Sequence, residues 1–251
     1  NVYYANTDRD GNALDTVGLD FGDRSWAEMT QLDAFSTWGS DIDAEGGTGA
    51  IWRIYEGYST PLLRRFLTAL EVSGEDANVT YNGTEQSGSW SATGEYDVDR
   101  IYGQPTGGKN AGTYALDMNG LYSDQQGYDL IITDGGTLTI ERKAITGSIS
   151  ADGKTYDGST YANTHGNLVG VISGDDLQFN TTGAFADKHA GTGKQVNVSG
   201  SLGGGDTGNY VLNTNSSTTA NIDRKTITAD VRALDKLFDG SLAATLEGVL
   251  N

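Results

Sequence analysis

A short pattern occurs three times along the chain, and it constrains the fold more than any other feature. Val79-Thr80-Tyr81-Asn82-Gly83 is matched by Lys154-Thr155-Tyr156-Asp157-Gly158 and again by Lys236-Leu237-Phe238-Asp239-Gly240. Other landmarks agree. Asn110-Ala111-Gly112-Thr113 is matched by His189-Ala190-Gly191-Thr192. Gly127-Tyr128-Asp129-Leu130 is matched by Gly208-Asn209-Tyr210-Val211-Leu212, with a one-residue slip. Ile140-Glu141-Arg142-Lys143-Ala144-Ile145-Thr146 is matched by Ile222-Asp223-Arg224-Lys225-Thr226-Ile227-Thr228. Landmarks that recur in order at nearly fixed spacing mark tandem structural units. Two complete units run over 67–143 and 144–225, and a third opens over 226–251. Residues 1–66 do not share the repeat.

Each unit carries the chemistry of strands and tight turns. Asn-Gly and Asp-Gly after an aromatic favour such turns because both central residues tolerate positive φ. Thr137-Leu138-Thr139-Ile140 and the stretch 194–199 alternate apolar with polar residues, as a strand with one buried face does. The Ile-acid-Arg-Lys-x-Ile-Thr junction reads as one extended strand passing into the next unit, which would string the units into a rod. The third unit stops at Asn251, soon after its turn. Residues 226–251 are therefore expected to be disordered, swapped or leaning on a neighbour, in a chain cut from a longer array.

Composition narrows the function classes. The chain has no cysteine, which excludes disulfide scaffolds, thiolate metal sites and cysteine nucleophiles. His165 and His189 are the only histidines, too few for a three-histidine metal site. Four Trp, 13 Tyr and 6 Phe are too many aromatics for a disordered chain, although 36 glycines alone would allow one. The net charge is −18, and each of the four stretches is acidic. No basic footprint for nucleic acid exists, and anionic membrane surfaces are disfavoured. No apolar run approaches the roughly 18 residues of a membrane span. No leader opens the chain, so a secretion signal is expected to lie outside it.

Residues 1–66 hold Trp26, Trp38 and Trp52 with Phe21, Phe35, Tyr55, Tyr58 and Phe66. Such an aromatic block beside a repeat array fits a cap that closes an exposed core. The stretch 51–57 alternates like a strand. The stretch 59–66 reads either as a short helix, with Thr60 as cap and Pro61 in its first turn, or as an extended edge.

The residues also suggest a resemblance. Thr155-Tyr156-Asp157-Gly158, the segment Gly183-Ala184-Phe185-Ala186-Asp187-Lys188-His189-Ala190-Gly191-Thr192-Gly193-Lys194, and Gly208-Asn209-Tyr210 resemble the YDG and related MBG repeats of large secreted filamentous-haemagglutinin-type adhesins of Gram-negative bacteria. The first unit is similar to the broader MBG kind, since Tyr81-Asn82-Gly83 replaces Tyr-Asp-Gly and the Gly-x-Phe-Ala-Asp-Lys segment has no counterpart. Tyr3-Tyr4-Ala5-Asn6-Thr7-Asp8, Trp52-Arg53-Ile54-Tyr55-Glu56-Gly57 and Thr60-Pro61-Leu62-Leu63-Arg64 resemble the end of such proteins' parallel β-helix. The resemblance implies two-partner secretion through an outer-membrane pore and a role in adhesion or biofilm. It implies no catalytic residues.

Candidate sites compete with plainer readings. Asn6-x-Asp8-x-Asp10-Gly11 has the alternating oxygen ligands and glycine of a calcium loop. Val17 stands where the bidentate Glu belongs, and Asp15 is off register, so a polar turn closing the last β-helix coil is the competing reading. The pairs Asp41/Asp43, Asp97/Asp99 and Asp175/Asp176 could serve a glycosidase only if they face each other across a cleft. An acidic surface produces such pairs freely. Neither histidine sits beside a nucleophile-elbow pattern. Tyr81, Tyr156 and Phe238 recur at one position, which favours core packing; Trp90, between small polar neighbours, is the better sugar-contact candidate. Asn78, Asn82, Asn180, Asn197 and Asn215 open Asn-x-Ser/Thr triplets, which an Asn- and Thr-rich chain yields freely.

The expected fold is all-β: the end of a parallel β-helix or a cap over 1–66, then tandem small β domains, sandwich or β-grasp-like with a short helix, over 67–143 and 144–225, and the start of a truncated third over 226–251. The expected function is a structural stalk segment of an extracellular adhesin, monomeric, secreted to the cell surface. No catalytic residue, cofactor or metal is expected, with calcium at Asn6–Asp8–Asp10–Gly11 as the alternative. Extracellular polysaccharide or a host or bacterial surface is the expected contact, with no nucleic acid and no membrane insertion. The rivals are a carbohydrate-binding module gripping a matrix exopolysaccharide and a secreted polysaccharide-active enzyme.

Overall fold

Asx-Gly turns and period-two alternation favour short strands, and 48% of the described residues lie in strands, in many small sheets. The computed structural model describes residues 4–5 and 23–251. Among these, the one α-helix is the four-residue α1 (Trp26–Met29), started by a capping box in which Ser25 and Glu28 satisfy each other's backbone N–H groups. The chain divides into two compact units, Asn1–Lys143 and Ala144–Asn251.

The first unit begins with two short strands, β1 (Tyr4–Ala5) and β2 (Asp23–Arg24), paired in parallel. A small sheet follows of β3 (Ile42–Asp43), β4 (Trp52–Arg53) and β5 (Leu62–Leu63), with β3–β4 parallel and β4–β5 antiparallel. Trp38 and Trp52, expected in a cap, are half-buried. The Phe35 and Trp38 rings lie 4.9 Å apart, and Trp38 and Trp52 lie 5.3 Å apart, over a core of Ala34, Phe35, Ile42 and Ile54. The strand expected over 51–57 is confined to β4. The stretch 59–66 takes its extended alternative, β5, then a 3₁₀ turn at Arg64–Phe66.

Repeat one contains β6 (Thr68–Gly74), β7 (Ala77–Thr80), β8 (Gln86–Ser87), β9 (Trp90–Ala92), β10 (Ile101–Tyr102), β11 (Thr106–Gly108), β12 (Gly112–Ala115), β13 (Tyr122–Ser123), β14 (Tyr128–Asp134) and β15 (Thr137–Glu141). Repeat two contains β16 (Lys143–Ala151), β17 (Lys154–Thr155), β18 (Tyr161–Ala162), β19 (Thr164–Val169), β20 (Gln178–Phe185), β21 (Gly191–Gly203), β22 (Tyr210–Thr214) and β23 (Ser217–Asp223). Sheet order β9-β6-β14 in the first corresponds to β19-β16-β22 in the second. Order β7-β15-β12 corresponds to β17-β23-β21, which β20 and β18 extend to five strands; in repeat one their counterparts β11 and β8 form a separate pair. Neither repeat contains an α-helix, so the helix of the β-grasp alternative is absent.

The recurring landmarks prove to be each other's partners. Thr80 pairs with Glu141, and Thr155 pairs with Asp223. The next residue, Tyr81 or Tyr156, donates its backbone N–H to the carbonyl of Glu141 or Asp223 over 2.8 Å in both repeats. On the other side of the same strand, Gly112 pairs with Ile140 and Gly191 with Ile222. The repeated sequence is therefore a repeated strand register. The Asx-Gly turn beside it holds glycine in the left-handed region each time, at φ 82° for Gly83, 84° for Gly158 and 78° for Gly240.

Residues 226–251 depart from the expectation of disorder or swapping. They form an antiparallel hairpin of β24 (Ala229–Ala233) and β25 (Leu246–Leu250). Val231 pairs with Gly248, where Ile149 pairs with Gly166 in repeat two. The turn also recurs atom for atom: Lys236 Nζ reaches Asp239 Oδ1 and the Ser241 carbonyl and hydroxyl at 2.9 Å, as Lys154 reaches Asp157 and Ser159 at 2.9–3.0 Å. What differs is burial. Ile145 and Ile149 are core residues, while their counterparts Ile227 and Val231 are exposed, and Phe238 is 98% exposed.

Candidate functional site

Aromatic rings gather at one place in the first unit. Trp26 opens α1, and Tyr58 follows the turn after β4, where the N–H groups of Tyr58 and Ser59 both donate to the Tyr55 carbonyl at 2.9 Å. Tyr102 and Tyr122 are direct cross-strand partners on β10 and β13. Buried Ile101 and Leu121 precede them, so strand alternation turns both tyrosines outward. The Tyr58 and Tyr122 rings stack at 4.6 Å and 14°, and Tyr102 meets Tyr122 at 5.3 Å and 32°. A hollow of about 390 Å³ is lined by these four aromatics with Thr60 and Asp124. A second hollow of about 360 Å³ shares Trp26, Tyr58 and Tyr122.

The walls are fixed from behind. Gln125 exchanges two hydrogen bonds with the Leu63 backbone, at 2.9 and 3.0 Å. Ser123 Oγ donates to the Arg100 carbonyl at 2.6 Å and accepts the Tyr128 N–H. The buried Tyr55 hydroxyl donates to the Tyr128 carbonyl at 2.6 Å and accepts the Leu130 N–H, and its burial pushes the phenol's pKa up. Beside it lie two buried charges, Arg53 and Asp129, and the half-buried Arg64. Asp129 faces Arg53 and Arg64 at 3.3 Å each and accepts the Gly47 N–H at 3.0 Å; Arg53 also lies 4.2 Å over the Tyr55 ring. Another hollow, of about 420 Å³, reaches Arg53 between Glu45 and Asn119. Because Arg53 already faces Asp129, this residue reads as part of the packing.

Residues 133–220 match the family model of the YDG domain, from the end of β14 to within β23. This stretch is a YDG domain. No curated protein and no solved structure matches the chain. Within the YDG domain, the segment that carried the resemblance builds one loop. Asp187 Oδ1 accepts the His189 N–H at 2.8 Å and meets Lys194 Nζ at 2.5 Å, and the lysine holds its carboxyl below the usual range. Phe185 is buried in a core with Ile149, Ala162, Val196, Val198 and Ile222, which joins the domain's two sheets.

The other sequence candidates occupy local structural posts. Asp43 and Asp97 each accept the N–H two residues on. Asp175 accepts the Tyr210 hydroxyl at 2.5 Å, and burial, with that bond, pushes the tyrosine up to about 12. Asp176 accepts the Gly205 N–H at 2.9 Å. His165 Nε2 lies 2.8 Å from Asp152, and Ser150 Oγ reaches only the His165 carbonyl, so no nucleophile stands at this ring. Among the described residues, no group of three His, Asp or Glu side chains converges as a metal site. The Asn6–Asp8–Asp10–Gly11 loop lies outside the described residues. Trp90 sits half-buried with its ring 5.8 Å from Tyr96, and Tyr81 is in the core. Asn215 spends its side-chain amide on both backbone groups of Ile149.

Sequence reading named Trp26 and Tyr58 only as parts of a cap and passed over Tyr102 and Tyr122. The available signal was an apolar–Tyr pair, Ile101-Tyr102 and Leu121-Tyr122, in two connections of repeat one.

Proposed function

We propose that this chain is a structural section of an extracellular adhesin-like surface protein, in which tandem β units hold a binding region away from the cell. The observation that carries this reading is the strand register. Two repeats, and the first hairpin of a third, use one pairing pattern at an offset of 82 residues between the second and third. Only Arg142 separates β15 from β16 along the chain. The YDG match supports a repeat-domain role, and the net charge of −18 would keep neighbouring copies apart. Passage through an outer-membrane partner and a role in biofilm belong to the same proposal.

The test follows from the register. Residues 170–225 fused after Asn251 should complete a third unit, because Val169 corresponds to Asn251. Hydrogen exchange should then show a new set of protected amides, and Phe238 and Val231 should lose their exposure, as their counterparts Tyr156 and Ile149 do in repeat two. Small-angle scattering should give the same increase in maximum dimension for each further repeat. An appended half that stays unprotected, or an increment that shrinks with the next copy, overturns the reading.

A further inference from the structure

Four aromatics on a hydrophilic chain, two of them with large exposed area, need a physical reason. Tyr58 is 44% exposed and Tyr102 is 39% exposed, in a chain of mean hydropathy −0.42. Contiguous exposed apolar surface ringed by polar groups marks an interaction site more often than chance packing. We propose that the groove walled by Trp26, Tyr58, Tyr102 and Tyr122 binds an uncharged pyranose oligosaccharide.

Three observations select this ligand class. First, the rings form one continuous cluster: Tyr58 and Tyr122 stack on each other and Tyr102 leans on Tyr122, so Tyr58 and Tyr102, 44% and 39% exposed, carry its open surface. Pyranose rings present flat C–H faces, which suit the negative face of an aromatic ring. Two adjoining hollows of about 390 and 360 Å³ offer places for successive sugar rings, each in the usual size range of small-molecule sites. Second, the rim can bond hydroxyls. Among the described residues, the Tyr58, Tyr102, Tyr122 and Thr60 hydroxyls make no hydrogen bond, and the Asp124 carboxylate stands at the edge. Third, charge excludes polyanions. Asp124 faces Arg100 at 3.5 Å, so the repulsion of uronate or sulfated chains comes from the net charge of −18.

A proline-rich peptide is the other ligand that fits aromatic grooves. The rim favours the sugar. Sugar hydroxyls can donate to Asp124 and the tyrosine oxygens, whereas proline has no N–H to give. The platform is also held in place before any ligand arrives, by the Gln125–Leu63 clamp and the Tyr55 turn, which lowers the ordering cost of binding.

The experiment is an NMR titration of the whole chain, following the Trp26 indole. The probes are cellohexaose, mannohexaose, N-acetylchitohexaose, an oligogalacturonate and a proline-rich peptide. Saturable binding of at least one neutral hexaose is expected, and no binding of the galacturonate. Tyr58→Ala and Tyr102→Ala should each weaken that binding about tenfold or more, while Tyr161→Ala, exposed in the YDG domain, should leave it unchanged. Tyr58→Phe keeps the stack and should cost less than Tyr58→Ala. A melting curve on each variant confirms the fold. If no neutral sugar saturates, if the peptide binds and the sugars do not, or if Tyr102→Ala binds as the parent does, the proposal is wrong.

Discussion

Repeats one and two share strands, order and register, yet they put their chain to different uses. Repeat two extends its sheet: β20 has 8 residues and β21 has 13, against 3 for β11 and 4 for β12. Repeat one keeps those strands short, and the connections 93–105 and 116–127 carry β10 and β13, whose tyrosines line the groove. The same contrast appears on β14 and β22. Tyr128 and Tyr210 are equivalent, both buried, and each hydroxyl accepts a backbone N–H, from Asp97 at 2.6 Å or from Ile172 at 3.1 Å. The next residue diverges. Asp129 is 3% exposed and faces Arg53 and Arg64, while Val211 is 45% exposed. A shared framework thus tolerates a buried ion cluster only where the segment before it supplies two arginines.

The largest expected effect comes from erasing that difference. Asp129→Val gives repeat one the residue of repeat two and leaves buried Arg53 and half-buried Arg64 without their counter-charge. Breaking a buried ion pair from one side typically costs about 3–5 kcal/mol. Denaturant unfolding of the first unit should lose that much, with the YDG domain's transition unmoved. Arg53→Met/Asp129→Val/Arg64→Met should recover most of the loss, because apolar replacement of a whole buried cluster is often neutral. Equal losses in the single and triple variants would show that the cluster matters for shape and not for charge.

The two cores can be separated in the same way. Leu70 and Val72 on β6 correspond to Ile145 and Gly147 on β16. Gly147 leaves room for Phe179: a Cβ there, or at Gly166 or Gly200, would lie 2.7, 2.4 or 2.5 Å from that ring. Three glycines therefore form a socket for one phenylalanine. Gly200→Ala should destabilise the YDG domain by about 1–3 kcal/mol through overpacking. Gly200→Ala/Phe179→Leu should regain part of it, and thermal unfolding of each domain would show which one moved. A single variant that melts like the parent would mean the socket yields freely.

These contrasts mark what could be read from the residues alone. The repeat was legible because its landmarks are the pairing residues: Tyr81 and Tyr156 with the Ile-acid-Arg-Lys segment, Gly112 and Gly191 with Ile140 and Ile222. Chemistry confined to one register position leaves a trace in sequence. The groove left almost none, because Trp26, Tyr58, Tyr102 and Tyr122 come from four separate stretches that only the fold brings together. Asp129 was quoted as part of a landmark, but its burial depends on Arg53 and Arg64, 76 and 65 positions away. The order of the hairpin at 226–251 has a related cause. Its turn is held locally by Lys236, Asp239 and Ser241, and so it does not wait for the rest of a unit.

The smallest expected effect concerns that turn. In repeat two Asp157 accepts the Ser159 N–H at 2.8 Å and the Lys154 ammonium at 2.9 Å; in repeat one Asn82 accepts the Thr84 N–H at 2.9 Å with no lysine present. The Ser159 N–H, then Lys154, lowers the Asp157 carboxyl from 3.8 to about 2. A carboxyl depressed in the folded state stabilises it above its unfolded pKa, and that stabilisation fades as pH falls through the folded pKa. The Asp157 turn should therefore loosen between pH 3.8 and about 2, while the Asn82 turn stays unchanged. The side chain is exposed, so the effect is local, and global melting will hardly register it. Amide exchange at Ser159 and Thr84, followed during acidification, reads it directly. Asp157→Asn should make Ser159 behave like Thr84. If Ser159 stays as protected at the acid end as at neutral pH, hydrogen-bond geometry alone holds the turn, and the lysine that distinguishes the two repeats contributes nothing to it.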